Sequence, residues 1–188
     1  MLAAINVTGD AALVAATISY RRARLRPPAR GDLPRIIAMW ERCSLATRMA
    51  RFHAPVRDIP ASYLGTVLSD PSASLVAVAG RAGAVAGLAS LVSDGSGSAE
   101  LGVLVEDAWQ RHGIGRQLVA HLIAAAPARQ ITELSASVLT QNGTVADLLR
   151  QVPGEFSLSY DGTTVNVRVR LQSHDPRLEY RKLAANDR

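Results

Sequence analysis

The residues with the clearest chemical potential lie between Glu100 and Leu118. Residues Ala99–Val105 are apolar enough to form a buried strand, and Gly113 and Gly115 follow in a loop that leads into a helical pattern. The first turn of a helix leaves backbone N–H groups unpaired at the positive end of the helix dipole. Because glycine has no Cβ, a phosphate group could approach this backbone closely. The spacing therefore predicts either a phosphate-binding site or an ordinary strand-to-helix turn.

Cys43 is the single cysteine of the chain, which excludes an internal disulfide and a zinc site built from cysteines. No histidine or aspartate lies at a spacing that would mark a catalytic partner for its thiol. We therefore predict that Cys43 is a small core residue, and we predict no metal site.

Length and composition indicate one globular domain, because the chain has 188 residues, of which 48% are hydrophobic and 20% are charged. No apolar run reaches the roughly 18 residues that a membrane-spanning helix needs. The run Ala11–Ile18 is too short, and the arginines that follow it lie on the wrong side for a signal peptide. We therefore expect a cytoplasmic protein with no membrane partner.

The net charge of +5 raises the hypothesis of a nucleic-acid-binding domain. Almost all basic residues are arginine, as a GC-rich genome would encode, and the excess charge is concentrated in residues 1–30. A basic stripe beside a tail is usually a solvated surface. A nucleic-acid partner is therefore the least favoured of the functional hypotheses.

The apolar spacing predicts three short helices in the first part of the chain. Asp32, Ser44 and Asp58 are the predicted N-caps of these helices. The inward-facing residues are predicted in three groups, Leu33, Ile36, Ile37 and Trp40, then Leu45, Met49 and Phe52, then Tyr63, Leu64, Val67 and Leu68.

After Pro71 the pattern changes to strands joined by tight turns and two further helices. The Asp161-Gly162 pair predicts a hairpin turn, because both of its residues tolerate positive φ. This order predicts an α/β fold with a mixed sheet and helices on its faces. The predicted strands are Leu75–Ala79, Val85–Val92, Ala99–Val105, Ile131–Leu139, Phe156–Tyr160 and Thr164–Leu171, and the predicted helices run from Ile114 to near Pro127 and over Val145–Val152.

The residues that open the long predicted helix are Gln110-Arg111-His112-Gly113-Ile114-Gly115. This motif resembles the Gln/Arg-x-x-Gly-x-Gly/Ala signature of the GNAT (acyl-CoA N-acyltransferase) superfamily, at the position where that family has it. It differs from the Walker A loop and from the dinucleotide-binding motif. The resemblance covers roughly Leu25 to Leu171. It implies a GNAT fold with a central mixed, mostly antiparallel, twisted sheet of about six or seven strands and helices on both faces.

The first half of the chain resembles the domain of bacterial protein-lysine acetyltransferases. The resemblance rests on four short segments, Cys43-Ser44-Leu45, Arg51-Phe52-His53, Asp58-Ile59-Pro60 and Tyr63-Leu64. It implies transfer of an acetyl group from acetyl-CoA to a primary amine, either a protein lysine or a small molecule, in a ternary complex. The alternative is a non-catalytic acyl-CoA-binding regulatory module of the same fold.

The resemblance also implies which residues bind acetyl-CoA. Backbone groups of the fourth strand would pair with the pantetheine arm and polarise the thioester carbonyl. Asn142 would contact the cofactor, although a plain N-cap is its simpler interpretation. The residues implied for the pyrophosphate are Arg111, His112, Gly113, Ile114, Gly115 and Arg116, and those implied for the pantetheine arm are Val103, Leu104 and Val105.

Glu100 matches the family's strand-borne glutamate, which acts as general base toward the amine, and its simpler interpretation is a solvated carboxylate. Leu149 stands where many members have a tyrosine that protonates the leaving thiolate, so this acid is missing, and Tyr160 is only a distant substitute. His53 could face the acceptor cleft, whereas the His112 side chain is expected at the surface.

The resemblance divides the chain into an N-terminal extension (1–20), an acetyltransferase domain (21–172) and a C-terminal tail (173–188). The apolar run Ala11–Ile18 could pack on a second copy of the chain, so a homodimer is one of the expected assemblies.

Overall fold

The computed structural model describes residues 23–79, 83–93, 95–140 and 143–172. A seven-stranded sheet with the order β1-β2-β3-β4-β5-β7-β6 forms its centre. Neighbouring strands are antiparallel except β4 and β5, which are parallel, and this confirms the predicted mixed, mostly antiparallel sheet. The strands are β1 Arg24–Arg26, β2 Ser74–Ala79, β3 Ala84–Ser93, β4 Ser98–Val105, β5 Glu133–Leu139, β6 Gly154–Asp161 and β7 Thr164–Leu171.

Helices cover both faces of the sheet, as predicted. The helices α1, α2 and α3 pack on one face, and α4 and α5 pack on the other. Short 3₁₀ turns precede α1, β2 and α4 and follow α4. The α-helices in the described residues are α1 Leu33–Arg42, α2 Leu45–Phe52, α3 Ala61–Ser69, α4 Ile114–Ala125 and α5 Thr144–Arg150.

The central strand β4 contributes to both hydrophobic clusters. Leu104 packs in the cluster that contains α1, whereas Leu101 packs in the cluster that contains α4. Successive side chains of a strand point to opposite faces of the sheet. Glu100 and Gly102 therefore lie on the same face as Leu104, on the side of α1, α2 and α3.

Most of the elements predicted from the sequence are confirmed, and the differences concern element ends, caps and one short strand. The Ser44 cap is correct, because the Thr47 N–H donates to its hydroxyl at 3.2 Å. Asp58 is not a cap, because α3 begins after Pro60 with no side-chain cap. The short strand β1 was not predicted, because its three residues, Arg-Leu-Arg, are too few to establish an alternating pattern.

Asp32 does not cap α1 with its side chain, contrary to the prediction. Its carboxylate, which is 2% exposed, accepts two hydrogen bonds of 2.6 Å from the Arg26 guanidinium and one of 2.8 Å from the Ala29 N–H. The bond from Arg26 lowers the pKa of Asp32 against the opposing effect of burial. Asp32 thus joins β1 to the turn that precedes α1.

Replacing Asp32 with asparagine is expected to lower the free energy of unfolding by about 2 kcal/mol at pH 7, because charge-assisted hydrogen bonds are lost. A carboxylate with a lowered pKa stabilises the fold above its unfolded pKa of about 4 and stops doing so as the pH falls. The deficit should therefore shrink between pH 5 and pH 3 in urea unfolding. Asp147→Asn is the matched control, because its ion pair with Arg150 is exposed and should contribute about 0.5 kcal/mol or less. A deficit that stayed constant with pH would contradict this role of Asp32.

The predicted N-terminal extension (1–20) and C-terminal tail (173–188) lie outside the described residues, and the division of the chain into these parts stays a prediction. Within the described residues, no helix has the length and apolar character that spanning a membrane requires.

Candidate active site

A cleft of about 980 Å³ opens where β4 and β5 separate. The two parallel strands pair only from Ser98 opposite Glu133 to Glu100 opposite Ser135. Beyond Glu100 the strands diverge, and α2, the loop after β4, the start of α4 and part of α5 complete the walls. Glu100 therefore lies at the point where the sheet opens.

The backbone of β4 points alternately toward β3 and toward this gap. The Glu106 N–H donates to the Ala86 carbonyl at 2.9 Å, so the backbone of Glu106 faces β3. Since the direction alternates along an antiparallel pair, the backbone of Leu104 also faces β3, whereas Val103 and Val105 turn their backbone groups toward the gap. The gap thus exposes backbone donors and acceptors of a strand that is otherwise buried.

The loop between β4 and α4 presents backbone N–H groups to the same cleft. Arg111 and Gly113 have left-handed backbone conformations, with φ of 59° and 77°. The first helical N–H to find a backbone acceptor is that of Gln117, which donates to the Gly113 carbonyl at 3.0 Å. In the part of the chain that the structure describes, no backbone carbonyl accepts from the amides of residues 113–116. These unpaired amides lie at the positive end of the α4 dipole, where an anion could accept hydrogen bonds from them.

Two side chains of this loop, Gln110 and Asp107, form hydrogen bonds with neighbouring residues of the cleft. The Gln110 side-chain amide donates to the Val105 carbonyl and to the Thr47 hydroxyl, both at 3.0 Å. Asp107 accepts from the Ser44 N–H and hydroxyl at 2.8 and 2.6 Å and from the Thr47 hydroxyl at 2.9 Å. Burial raises the pKa of the Asp107 carboxyl, but the hydrogen bonds from Ser44 and Thr47 outweigh it and leave the pKa below its usual value. Asp107 is thus an ionised anchor for α2.

The C-terminal end of α2 brings two basic side chains into the cleft. The Arg51 guanidinium lies over the rings of Phe52 and Tyr63, with its Cζ 4.8 and 4.6 Å from the ring centroids. His53 ends the helix in a left-handed conformation, and its Nε2 atom is buried without a hydrogen-bond partner. The left-handed conformation of His53 is common where a helix ends, and it turns the chain out of α2 at the edge of the cleft.

Residues 34–151 match the sequence model of a protein family described as "Acetyltransferase (GNAT) family". The match contains every one of the described residues that line the cleft. The chain belongs to the GNAT acetyltransferase family. It is therefore an acyltransferase, and the resemblance found in the sequence is confirmed.

Solved structures of GNAT proteins share this fold. The GNAT domain of S. lividans PAT matches 79% of this chain and 90% of its own, at 24% identity and a TM-score of 0.69. A phosphinothricin acetyltransferase from Sinorhizobium meliloti, in complex with AcCoA, matches 79% and 88% at 18% identity and a TM-score of 0.62. A ribosomal-protein-alanine N-acetyltransferase from Brucella melitensis matches 79% and 99% at 22% identity and a TM-score of 0.57. No curated protein sequence matches the chain.

Most of the residues that the GNAT resemblance singled out come together in the cleft. The Ile114 side chain instead lies in the core, at 2% exposed, so only its backbone is available to a ligand. His112 does not line the cleft, and its Nδ1 contacts the Gln110 carbonyl at 2.7 Å. Asn142 lies outside the described residues. The predicted residues in the lining are Glu100, Val103, Leu104, Val105, Arg111, Gly113, Gly115 and Arg116.

The structure also locates the residues considered as a general acid or a nucleophile. Leu149 is fully buried in the core, so its position serves packing, and Tyr160 is 73% exposed and outside the cleft lining. Cys43 is buried, and burial raises the pKa of its thiol to about 11, which confirms it as a core residue. Among the described residues, no three metal-ligating side chains form a group that could hold an ion.

The sequence did not predict that helix α2 would form one wall of this GNAT cleft. It contributes Thr47, Met49 and Arg51 to the lining. A glycine inside a buried strand, Gly102, was the available signal, because such a glycine often marks a close approach by another group. A Cβ at Gly102 would in fact overlap the Arg51 guanidinium.

Proposed function

We propose that this GNAT protein is an N-acetyltransferase that moves an acetyl group from acetyl-CoA to a primary amine within a ternary complex. The observation that carries the proposal is the gap between β4 and β5. It exposes backbone groups of Val103 and Val105 between a carboxylate, Glu100, and the unpaired amides that open α4.

The residues of the cleft fit acetyl-CoA. Its pyrophosphate would accept hydrogen bonds from the backbone amides of residues 113–116, with the side chains of Arg111 and Arg116 close by. Gly115 lines this turn, and the nearest atom to a Cβ there would be Val105 Cγ2, at 3.7 Å, so the backbone is open to the cleft. A volume of about 980 Å³ is within the range of ligand sites.

When bound, acetyl-CoA supplies an acetyl thioester, whose C–S bond breaks as the C–N bond to the acceptor forms. The backbone of Val103 and the N–H of Val105 would pair with the pantetheine arm across the gap, since the Val105 carbonyl already accepts from Gln110. A backbone N–H of this strand would donate to the thioester carbonyl and stabilise the negative charge that develops on its oxygen. The Leu104 backbone faces β3, so we assign this role to its two neighbours.

Glu100 is the proposed general base. An ammonium group has no free electron pair, so the acceptor must lose a proton before it attacks. The Glu100 carboxylate is exposed where the sheet opens and would take this proton directly or through one water. His53 also lines the cleft and is the second candidate for the base.

The proton for the departing thiolate would come from solvent. Leu149 is buried at the position where many family members have a tyrosine, and the lining contains no tyrosine among the described residues. This feature also favours a second candidate function, a regulatory module that binds acyl-CoA without efficient transfer.

Two measurements test the proposal and separate it from this alternative. Acetyl-CoA should raise the melting temperature, and an amine panel with lysine peptides and small amines should release the free thiol of coenzyme A. Stabilisation without thiol release would support the regulatory module, and the absence of stabilisation would contradict both. We also propose that the protein is bacterial and cytoplasmic and that it can form a homodimer.

Deleting residues 1–18 is expected to leave acetyl-CoA affinity within about threefold, or about 0.7 kcal/mol. The physical reason is that all of the described residues that line the cleft lie within residues 34–151. Calorimetric titration of the full and the shortened chain would measure the difference. A loss much greater than threefold would place the N-terminal extension in the acetyl-CoA site.

A further inference from the structure

Arg51 carries a positive charge that nothing in the described residues neutralises. Its guanidinium has no hydrogen-bond or ion-pair partner among the described residues, and its Nε atom is buried. Unpaired buried N–H groups are rare in folded proteins, and each one calls for an explanation. Only the Nε atom is among these buried, unpartnered atoms, so the terminal N–H groups of Arg51, which lines the cleft, are the ones that a ligand entering the cleft can pair with.

Arg48, one turn earlier on α2, is a useful comparison, because it also stacks on an aromatic ring but its N–H groups have hydrogen-bond partners within the protein. Its guanidinium also lies over an aromatic ring, 5.1 Å from the centroid of Trp40. Unlike Arg51, it donates to the carbonyls of Cys43, Arg57 and Glu41 at 3.0 to 3.1 Å. Stacking on a ring therefore does not explain why the donors of Arg51 are left unused.

The surroundings of Arg51 hold its guanidinium in one place. The rings of Phe52 and Tyr63 contact it, and it rests against the backbone of β4 at Gly102, where no side chain intervenes. Aromatic faces attract cations and fix the plane of a guanidinium. A fixed guanidinium with free N–H groups can bind a carboxylate with two parallel hydrogen bonds.

Glu100 lies next to this cation on the same face of β4. Glu100 and Gly102 are two residues apart, or about 7 Å along the strand. The two charged side chains nevertheless form no ion pair with each other. The cleft thus presents a carboxylate and a guanidinium side by side, each open to a ligand.

On the basis of the proposed function, we propose that the acceptor is a zwitterion of the amino-acid class. Arg51 binds its carboxylate, and the binding holds its ammonium group near Glu100. A lysine side chain within a protein lacks a carboxylate close to its amine, so it would leave Arg51 unpaired. Arg51 lies on the face of β4 opposite α4, away from the amides proposed for the pyrophosphate, and this argues against a role in cofactor binding.

Binding can be measured without turnover, in the complex with coenzyme A. The twenty standard amino acids and their C-terminal amides would be titrated at pH 6.5, where both forms carry an ammonium group. We expect at least one amino acid to bind about 10- to 100-fold more tightly than its amide, as a charge-assisted hydrogen-bonded pair implies. Thiol release from acetyl-CoA would give kcat and KM for the same pairs and for a lysine peptide.

Variants of α2 separate a specific role from a structural one. Arg51→Gln should remove the preference for the acid by raising its KM while the amide changes by less than about twofold, and Arg51→Lys should retain part of the preference. Arg48→Gln is the matched control, because it removes a charge from the same helix and should lower the melting temperature without changing the ratio of acid to amide. Gly102→Ala should act like Arg51→Gln by displacing the guanidinium.

Two results would overturn the inference, namely amides that bind as well as the acids throughout the panel, or an Arg51→Gln variant that weakens acid and amide equally. A lysine peptide favoured over every free amino acid would also overturn it and would leave the proposed function intact. Conversely, discrimination in the binding assay without any thiol release would support the carboxylate site and contradict the proposed function.

Discussion

Replacing Glu100 with glutamine is expected to lower kcat/KM by about 10²- to 10⁴-fold near neutral pH, the contribution of a positioned general base. Glutamine keeps the shape of the side chain and removes its ability to accept a proton. Because Glu100 is exposed at the opening of the sheet, the substitution should leave the fold unchanged. Acetyl-CoA affinity should also stay the same, since the amides proposed for the pyrophosphate lie beyond the far end of β4.

The pH dependence distinguishes a lost base from a lost contact. The variant should recover toward the parental rate at high pH, where the free amine no longer needs a base. Glu133→Gln is the matched control, because Glu133 lies on the same face of the neighbouring strand, outside the cleft lining. It should change the rate by less than about twofold, as substitutions outside a functional site usually do.

More than about half of the parental rate in Glu100→Gln at pH 7 would exclude Glu100 as the base, because a base contributes far more. The same assay on His53→Gln would then test the second candidate. His53 lines the cleft, and its Nε2 atom has no hydrogen-bond partner among the described residues. If kcat/KM fell in His53→Gln but not in Glu100→Gln, His53 and not Glu100 would be the general base.

The part of the site that follows from local sequence was predictable. Gly113 and Gly115 marked the turn that opens α4, and an apolar run marked β4, because both signals depend on residues close together in the chain. The alternation of backbone groups along β4 then follows from the strand itself. The roles proposed for Val103 and Val105 came from the GNAT resemblance, and only the pairing of β3 with β4 shows that their backbone groups face the gap.

The acceptor side could not be predicted in the same way. Arg51 reaches Gly102 across fifty residues of chain, and no periodic pattern relates the two. Asp32 has the sequence signature of an N-cap, yet the side chain of Arg26 binds it, because β1 brings that arginine alongside. Contacts of this kind arise from tertiary packing, which overrides local preference.

Replacing Gly115 with valine is expected to reduce acetyl-CoA affinity by more than about 100-fold, or about 2.7 kcal/mol. Hydrogen bonds from backbone N–H groups to a charged phosphate contribute about 1.5 to 3 kcal/mol each, and a branched side chain would hold the phosphate away from several of them. The effect should appear in calorimetric titration and, in activity assays, as a raised KM for acetyl-CoA.

The structure indicates that this variant will fold. The nearest atom to a Cβ at position 115 is Val105 Cγ2, at an ordinary contact distance of 3.7 Å, and Gly115 has no left-handed backbone that a side chain would strain.

Gly115→Ala should give an intermediate loss of acetyl-CoA affinity, since its single methyl group fills less of the turn. Gly65→Val is the matched control, because Gly65 also lies in a helix and has open space around its Cβ position. If Gly115→Val melts like the parent and binds acetyl-CoA within about threefold of it, the phosphate does not bind at this turn. The amides of residues 113–116 would then be left to solvent, and the pyrophosphate would have to bind through side chains that line the cleft beside this turn, Arg111 and Arg116.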